Sequence, residues 1–177
     1  MSRRAATFLT LLFVTLSAYS QTPGQSRCSL TEANSPSIGS LRLRMTADQL
    51  VALFPASTKR KEIRDALEKA KAATTTDPVY LSFDTATDGG RDSFPGVDSV
   101  TAGVYRGRVT DFSALYGGTW NSIDEWVIHV SQMLKLPAAK DWTVGPSENP
   151  NKVLRCDGIE IEAAIQGGSA TVRIHNT

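Results

Sequence analysis

The sequence predicts an α+β fold in which helices pack on one face of an antiparallel sheet. Two helical segments with good N-terminal caps, 46–54 and 122–134, are each followed by three short segments in which apolar and polar residues alternate. Such alternation is typical of strands that have one buried side and one side facing water. We therefore expect a single domain, 41–177, made of two similar tandem halves, 41–118 and 119–177, each a helix followed by a three-strand meander.

The chain begins with a segment that has the features of a secretory signal peptide, residues 1–20. Arg3 and Arg4 precede an apolar stretch, and Ala18-Tyr19-Ser20 has small residues at the two positions that a signal peptidase reads. The apolar stretch is too short to span a membrane. We expect cleavage before Gln21, export to the periplasm or out of the cell, and a soluble mature chain without a transmembrane segment.

Residues 21–40 are polar and rich in serine, proline and glycine, which predicts an N-terminal arm. The only two cysteines of the chain are Cys28 in this arm and Cys156 near the C-terminus. An even pair in an exported chain predicts one disulfide bond, and the alternative is two unpaired thiols. Closing so long a loop stabilises the fold by roughly 4–5 kcal/mol at most in the chain-entropy model.

The segment 41–55 predicts a strand that runs into a capped helix. Leucine and arginine alternate over 41–44, as in a half-buried strand. Thr46 is the expected N-cap, and Gln49 completes a capping box with it. The apolar face of the helix consists of Leu50, Leu53 and Phe54. Pro55 ends the helix, because the residue before a proline disfavours helical geometry.

A charged segment, 58–74, predicts a helix that faces solvent. Its oppositely charged side chains stand four residues apart, the spacing that brings them together on a helix. These pairs are Lys61–Asp65, Arg64–Glu68 and Asp65–Lys69. The basic run 59–61 could also attract an acidic partner, but a solvated helix face is the preferred interpretation.

Three alternating segments follow, at 79–84, 100–104 and 109–116. Arg106-Gly107 predicts a two-residue hairpin turn, because glycine readily adopts a positive φ. The alternation breaks near Asp111, which predicts a β-bulge.

The second half repeats this plan. Ser122 is the expected N-cap, and Glu125 would complete its capping box. The apolar helix face that follows consists of Ile123, Trp126, Val127, Val130 and Leu134. After a loop, strands are expected at 153–156, 159–165 and 170–174, joined by turns at Asp157-Gly158 and Gly167-Gly168. The residues around Ser122 match those around Thr46, which favours an internal repeat over a chance similarity.

The stretch Leu41-Arg42-Leu43-Arg44-Met45-Thr46-Ala47-Asp48-Gln49-Leu50 resembles the strand, Gly-Met-Thr and capped helix that open the BamE/SmpA-like and β-lactamase-inhibitor-protein-like folds. Those families combine a helical layer with an antiparallel meander, and the inhibitor proteins carry this plan twice in tandem. The chain has Arg44 where that pattern usually has glycine. The resemblance, which extends to small secreted bacterial proteins, implies a protein-binding or envelope-associated role.

The sequence contains no set of residues typical of a catalytic, cofactor or metal site. The two histidines, His129 and His175, have no neighbour in the sequence at metal-ligand spacing. The acidic loop 84–92 is similar to a calcium loop but lacks suitable residues at two ligand positions. Glu160 and Glu162 share one side of a strand, an arrangement more typical of a solvated face than of paired catalytic carboxylates.

Two classes of function remain. We expect a non-catalytic binding or envelope-associated module that uses an exposed sheet face and needs no cofactor, with another envelope or secreted protein as its partner. The expected contacts are tyrosines and arginines, which are enriched in binding hot spots. They are Tyr80, Tyr105, Arg106 and Arg108. The alternative is an enzyme with an unrecognised site near Asp84–Asp92.

Nucleic acid is not expected as a partner. Removing Arg3 and Arg4 from the 19 basic residues leaves 17, against 18 acidic residues, so the mature chain has a net charge near −1 (17 − 18). Proteins that bind nucleic acid instead carry a basic excess on one surface.

Overall fold

A computed structural model describes residues 28–72 and 77–177. The described chain has an α+β fold with one seven-stranded antiparallel sheet and three α-helices. The strands are β1 Val79–Asp84, β2 Val97–Tyr105, β3 Arg108–Tyr116, β4 Thr143–Val144, β5 Asn151–Arg155, β6 Ile159–Gln166 and β7 Ser169–Asn176. The α-helices are α1 Ala47–Ala52, α2 Lys61–Lys71 and α3 Ile123–Met133, and 3-10 helices occupy Glu32–Asn34, Pro55–Lys59 and Ala139–Asp141. The predicted signal peptide, 1–20, lies outside the described residues.

Two three-stranded meanders meet at the centre of the sheet, which has the strand order β1-β2-β3-β7-β6-β5-β4. Their last strands, β3 and β7, pair antiparallel. The predicted turns are confirmed, since Arg106 and Gly107 join β2 to β3 with φ of 51° and 72°, and Gly167 and Gly168 join β6 to β7 with φ of 58° and 85°. The predicted bulge is also confirmed, because the β2–β3 register shifts beside Gly103.

The edge strand β4 lies within 138–151, where the sequence predicts only a loop. Thr143 pairs with Val153 of β5, which extends the sheet by one short strand. Two residues are too few to show a periodicity, so the strand leaves no signal in the sequence.

Alternate residues of the strands are buried on one side of the sheet. They include Leu81, Phe83, Val100, Ala102, Ala114, Ile161 and Val172. Helix α3 contacts β6 and β5 and buries Trp126 completely. The Trp126 indole Nε1 donates a hydrogen bond of 2.9 Å to the carbonyl oxygen of Thr171, which ties α3 to β7. That all three helices pack on this one face stays a prediction.

The predicted caps of α1 and α3 differ in completeness. At α1 the Thr46 hydroxyl accepts from the Gln49 backbone N–H at 3.2 Å, and the Gln49 side chain accepts from the Thr46 N–H at 2.9 Å. At α3 the Ser122 hydroxyl accepts from the Glu125 N–H at 3.2 Å. The Glu125 carboxylate accepts from the N–H of Asn121 instead of Ser122, at 3.3 Å, so the second predicted capping box is only half formed.

The predicted strand over 41–44 is wrong. Leu41 and Leu43 are buried and the intervening Arg42 and Arg44 are exposed, so the alternation of burial is as expected. The chain nevertheless turns at 43–44, where Arg44 has φ 66°. A residue other than glycine in this left-handed conformation costs about 1 kcal/mol or more. Because burial alternates along this curved segment, its sequence has the same pattern as that of a strand.

The helices do not occupy the positions that an α1–α3 repeat predicts. Helix α3 contacts β6 and β5, whereas in the first half α2 is the helix that contacts β1 and β2. Helix α1 contacts β3 instead, and Phe54, which follows it, stacks on Phe83 at 4.3 Å and on Phe94 at 5.0 Å between ring centroids. By its contacts α2, not α1, is the counterpart of α3. Whether the two halves form a true repeat stays a prediction.

The disulfide bond between Cys28 and Cys156 is confirmed, and the two cysteines are 128 residues apart in the sequence. It joins the N-terminal arm to the turn between β5 and β6, where the Asp157 N–H also donates to the Cys28 carbonyl oxygen at 3.2 Å. Farther along the arm, Ile38 is buried in the core. The described part of the arm is therefore fixed to the domain at both ends.

Candidate functional site

The other side of the sheet carries two rows of mainly polar residues that cross six strands. We call this surface the polar face. The first row consists of Tyr80, Gly103, Asp111, His175, Glu160 and Arg155. The second row consists of Ser82, Thr101, Ser113, Arg173 and Glu162, and it ends on β5 at Val153, which is apolar and buried. Period-two alternation places these residues together, although they come from strands far apart in the sequence.

Two ion pairs and one carboxylate–imidazole contact connect the ionisable residues of the polar face. Glu160 bridges two strands, because its Oε2 lies 2.9 Å from Arg155 Nε and its Oε1 lies 3.4 Å from His175 Nε2. Arg173 Nη2 lies 3.3 Å from Asp111 Oδ1. Such pairs at a surface each contribute at most about 1 kcal/mol to stability. Their main effect here is to hold positive and negative groups at fixed positions across the sheet.

Asp111 is buried at the centre of the polar face, with 7% of its surface exposed. Its carboxylate lies over Gly103 on the neighbouring strand, where an added Cβ would stand 2.1 Å from Asp111 Oδ2 and 3.1 Å from Cε1 of Tyr80. Only glycine leaves room for this close approach. The Thr110 hydroxyl also lies 3.4 Å from Asp111 Oδ2. The result is a fixed carboxylate beside a tyrosine ring.

The four predicted contact residues lie on β1, β2, β3 and the turn between β2 and β3. Tyr80 lies on the polar face and is 54% exposed. Tyr105 and Arg106 lie at the β2–β3 turn, where the Arg106 guanidinium stands 5.0 Å from the centroid of the Tyr105 ring. Arg108 stands opposite Tyr105 in the β2–β3 pairing, and its Nη1 donates to the carbonyl oxygen of Arg44 at 3.0 Å. That the four residues form one contact surface stays a prediction.

Sequence reasoning missed most of the polar face. Gly103 within an alternating segment was a signal, because glycine inside a strand often marks a close approach of another group. The pairing of Asp111 with Arg173 had no local signal, since the two residues are 62 positions apart and meet only through the β3–β7 pairing.

Two carboxylates of the Asp84–Asp92 loop, those of Asp84 and Asp88, accept hydrogen bonds that hold the loop. Asp84 Oδ1 accepts from the backbone N–H of Thr87 at 2.8 Å and of Ala86 at 2.9 Å. Hydrogen bonds from Thr87, first from its backbone and then from its hydroxyl, lower the pKa of Asp84. Asp88 is buried, and its Oδ2 accepts from Arg60 Nη1 at 2.7 Å and from the Asp84 N–H at 2.9 Å. These hydrogen bonds give Asp84 and Asp88 a structural role in the loop.

Within residues 28–72 and 77–177, no cluster of three or more histidine, cysteine, aspartate or glutamate side chains is placed to hold a metal ion. None of the helices in the described part of the chain is long and apolar enough to cross a membrane. In comparisons with protein-family models, curated proteins and solved structures, no match to the chain was found.

Proposed function

We propose that the protein is an exported, non-catalytic binding module that recognises another envelope or secreted protein with the polar face of its sheet. One observation carries the proposal. The exposed ring of Tyr80 lies beside the buried carboxylate of Asp111. Gly103 leaves room for this carboxylate, and Arg173 forms an ion pair with it. A strand glycine and a buried acid contribute little to folding, because they weaken a strand and require desolvation of a charge. Their arrangement is that of a pre-organised contact surface.

The chemistry of the polar face favours a partner with a mixed polar surface. Basic and acidic groups alternate along the first row in the order Arg155, Glu160, His175 and Asp111. Electrostatic complementarity of this kind contributes more to specificity and to association rate than to raw affinity. The nearly balanced charge of the mature chain is consistent with a protein partner rather than a polyanion.

Export is supported by two features. The disulfide bond between Cys28 and Cys156 is typical of proteins that fold in an oxidising compartment. The N-terminal segment has the pattern of a signal peptide. The enzymatic alternative near Asp84–Asp92 has less support, because Asp84 and Asp88 accept several hydrogen bonds from the protein itself.

The proposal is tested by capture with matched variants. The mature chain, residues 21–177, is immobilised and exposed to envelope extract alongside Tyr80→Ala and Ile128→Ala. Tyr80 and Ile128 are about equally exposed, at 54% and 49%, but Ile128 lies on α3. Truncation of a hot-spot tyrosine costs about 2 kcal/mol or more, or roughly thirtyfold in affinity.

We expect a partner that the wild-type chain and Ile128→Ala retain and that Tyr80→Ala loses. Equal retention by Tyr80→Ala would show that the polar face is not the recognition surface. Retention of no partner by the wild-type chain would leave the protein-binding role without support and count against it.

A further inference from the structure

A second candidate site lies away from the polar face, between the N-terminal arm and the start of β3. It is an open cleft of about 420 Å³. Three arginines, Arg42, Arg44 and Arg108, line it together with Glu32, Ser35 and Ser37. Arg108, the first residue of β3, reaches this cleft from the sheet.

The cleft has an excess of positive charge. Its one carboxylate, Glu32, lies 3.7 Å from Arg44 Nη1 and also accepts from the Asn176 side-chain amide at 2.9 Å. The guanidinium of Arg108 donates to a backbone carbonyl, which carries no formal charge. Within residues 28–72 and 77–177, the Arg42 side chain makes no hydrogen bond or ion pair. Among the described residues, only Arg44 of the three arginines therefore has a carboxylate partner.

The backbone of Arg44 points to a role for its side chain in this cleft. Arg44 has φ 66°, and its N–H is held by a 2.8 Å hydrogen bond to the Val109 carbonyl oxygen. Glycine would adopt this conformation with less strain. The Arg44 side chain is 59% exposed, and in the described part of the chain its one ion pair is the long contact with Glu32, so packing does little to offset the strain. Strained residues of this kind concentrate at ligand sites.

A less polar cleft of about 460 Å³ adjoins the first one. The two share Ser37, Arg42, Met45 and Gln49. The second extends to Ala52 and Leu53 at the end of α1. Arg42 thus lies between the first cleft, which is cationic, and the second cleft, which is more apolar.

We propose that this pair of clefts binds an anionic amphiphile, whose oxyanion head pairs with Arg42, Arg44 and Arg108 and whose apolar chain lies against Met45 and Leu53. Guanidinium groups match phosphate and carboxylate oxygens through paired hydrogen bonds. The chemistry is shared by a free amphiphile and by an anionic membrane lipid, and the experiment separates these two sources.

The test uses the oxidised mature chain and four proteins: wild type, Arg42→Gln, Arg44→Gly and Lys140→Gln. Lys140 is exposed in the 3-10 helix before β4, so its variant has the same charge change as Arg42→Gln at a remote place. Octyl phosphate, below its micelle concentration, and inorganic phosphate are titrated by calorimetry. Thermal unfolding is recorded for each protein.

We expect octyl phosphate to bind the wild-type chain and Lys140→Gln equally, and to bind Arg42→Gln about tenfold more weakly, as for loss of one charge-assisted hydrogen-bond partner. Arg44→Gly should also bind more weakly while its Tm stays equal or rises, because glycine relieves the strained backbone. A binding loss with unchanged Tm separates a ligand role from a structural one. Inorganic phosphate should bind more weakly than octyl phosphate.

Three results would overturn the proposal. The first is that octyl phosphate does not bind, and the second is that the arginine variants bind it as tightly as the wild-type chain does. The third is that inorganic phosphate binds as tightly as octyl phosphate, which would show that the apolar cleft contributes nothing to binding. Cosedimentation with phosphatidylglycerol vesicles, against phosphatidylcholine vesicles, then identifies the source. If the protein sediments with phosphatidylglycerol vesicles and this depends on Arg42, the ligand is a membrane lipid. If the protein does not sediment with them, the ligand is a free amphiphile.

Discussion

The two faces of the sheet place opposite demands on their side chains. On the buried side, alternate apolar residues such as Leu81, Ile161 and Val172 are removed from water and contribute to folding through burial. On the polar face, Arg155, Glu160 and others stay in contact with water, and their ion pairs contribute little to stability. The comparison teaches that the same strands contribute to stability through one face and to recognition through the other, and that the two properties can be changed separately. Substitutions on the buried side should change stability, and substitutions on the polar face should change recognition.

The largest effect is expected on the buried side, at Trp126. Its side chain is fully buried and its Nε1 donates to the Thr171 carbonyl oxygen. We expect Trp126→Ala to lower the free energy of unfolding by about 3–5 kcal/mol, because it leaves a large cavity. Denaturant midpoints measure the loss, and Ile128→Ala on the exposed side of α3 should change it by less than about 0.5 kcal/mol. A near-neutral Trp126→Ala would contradict the assignment of Trp126 to the core.

Removal of the disulfide bond should have the next largest effect. The double variant Cys28→Ser with Cys156→Ser is expected to lose about 2–5 kcal/mol of unfolding free energy, because the crosslink restrains the unfolded chain. The arm keeps its other contacts, such as buried Ile38, so the sheet should still fold. Thiol titration of the denatured, unreduced mature chain should find no reactive thiol. Two reactive thiols would show that the bond does not form.

Gly103 is the exception on the polar face, because a substitution there should also change stability. A Cβ there would stand 2.1 Å from Asp111 Oδ2, so Gly103→Ala must displace the carboxylate from Arg173. We expect a loss of about 1–3 kcal/mol, as for other overpacked positions. The variant Gly103→Ala with Asp111→Ala relieves the clash, so it should lose less than the two single effects combined. Additive losses in the double-mutant cycle would mean that Gly103 has no special relation to Asp111.

The sequence allowed the strands of the two meanders to be located, but not the pairing of one meander with the other. Ile159 and Ile161 alternate with Glu160 and Glu162, and burial follows this period in β6. The pairing of β3 with β7 depends on how the two meanders meet, which no local pattern specifies, so the contact of Asp111 with Arg173 was out of reach.

The arginine cleft was missed for a different reason. The alternation of leucine and arginine at 41–44 predicts a strand, but the left-handed conformation of Arg44 turns the chain. Side-chain polarity reports burial and does not report φ, so a turn whose burial alternates is read as a strand. The turn and the fold of the arm then bring Arg42 and Arg44 beside Arg108.

The smallest effects on stability are expected at the helix caps. Thr46→Ala and Ser122→Ala should each cost about 1 kcal/mol, because each removes a hydrogen bond to a backbone N–H at the start of a helix. Thr46→Ala should cost more, since its capping box is complete and that of Ser122 is not. Denaturant midpoints of the two variants give the order, and a larger loss for Ser122→Ala would contradict the observed cap geometry.

The recognition role of the polar face is tested most directly by hydroxyl-radical footprinting of the wild-type mature chain, with and without the protein that it retains from envelope extract. Footprinting reports side-chain exposure, and Tyr80 on β1 and Ile128 on α3 are about equally exposed. The account predicts that the partner reduces labelling of Tyr80 and His175 and leaves that of Ile128 and Met133 unchanged. Protection of Ile128 and Met133 with unchanged labelling of Tyr80 would place the interface on α3 and contradict it.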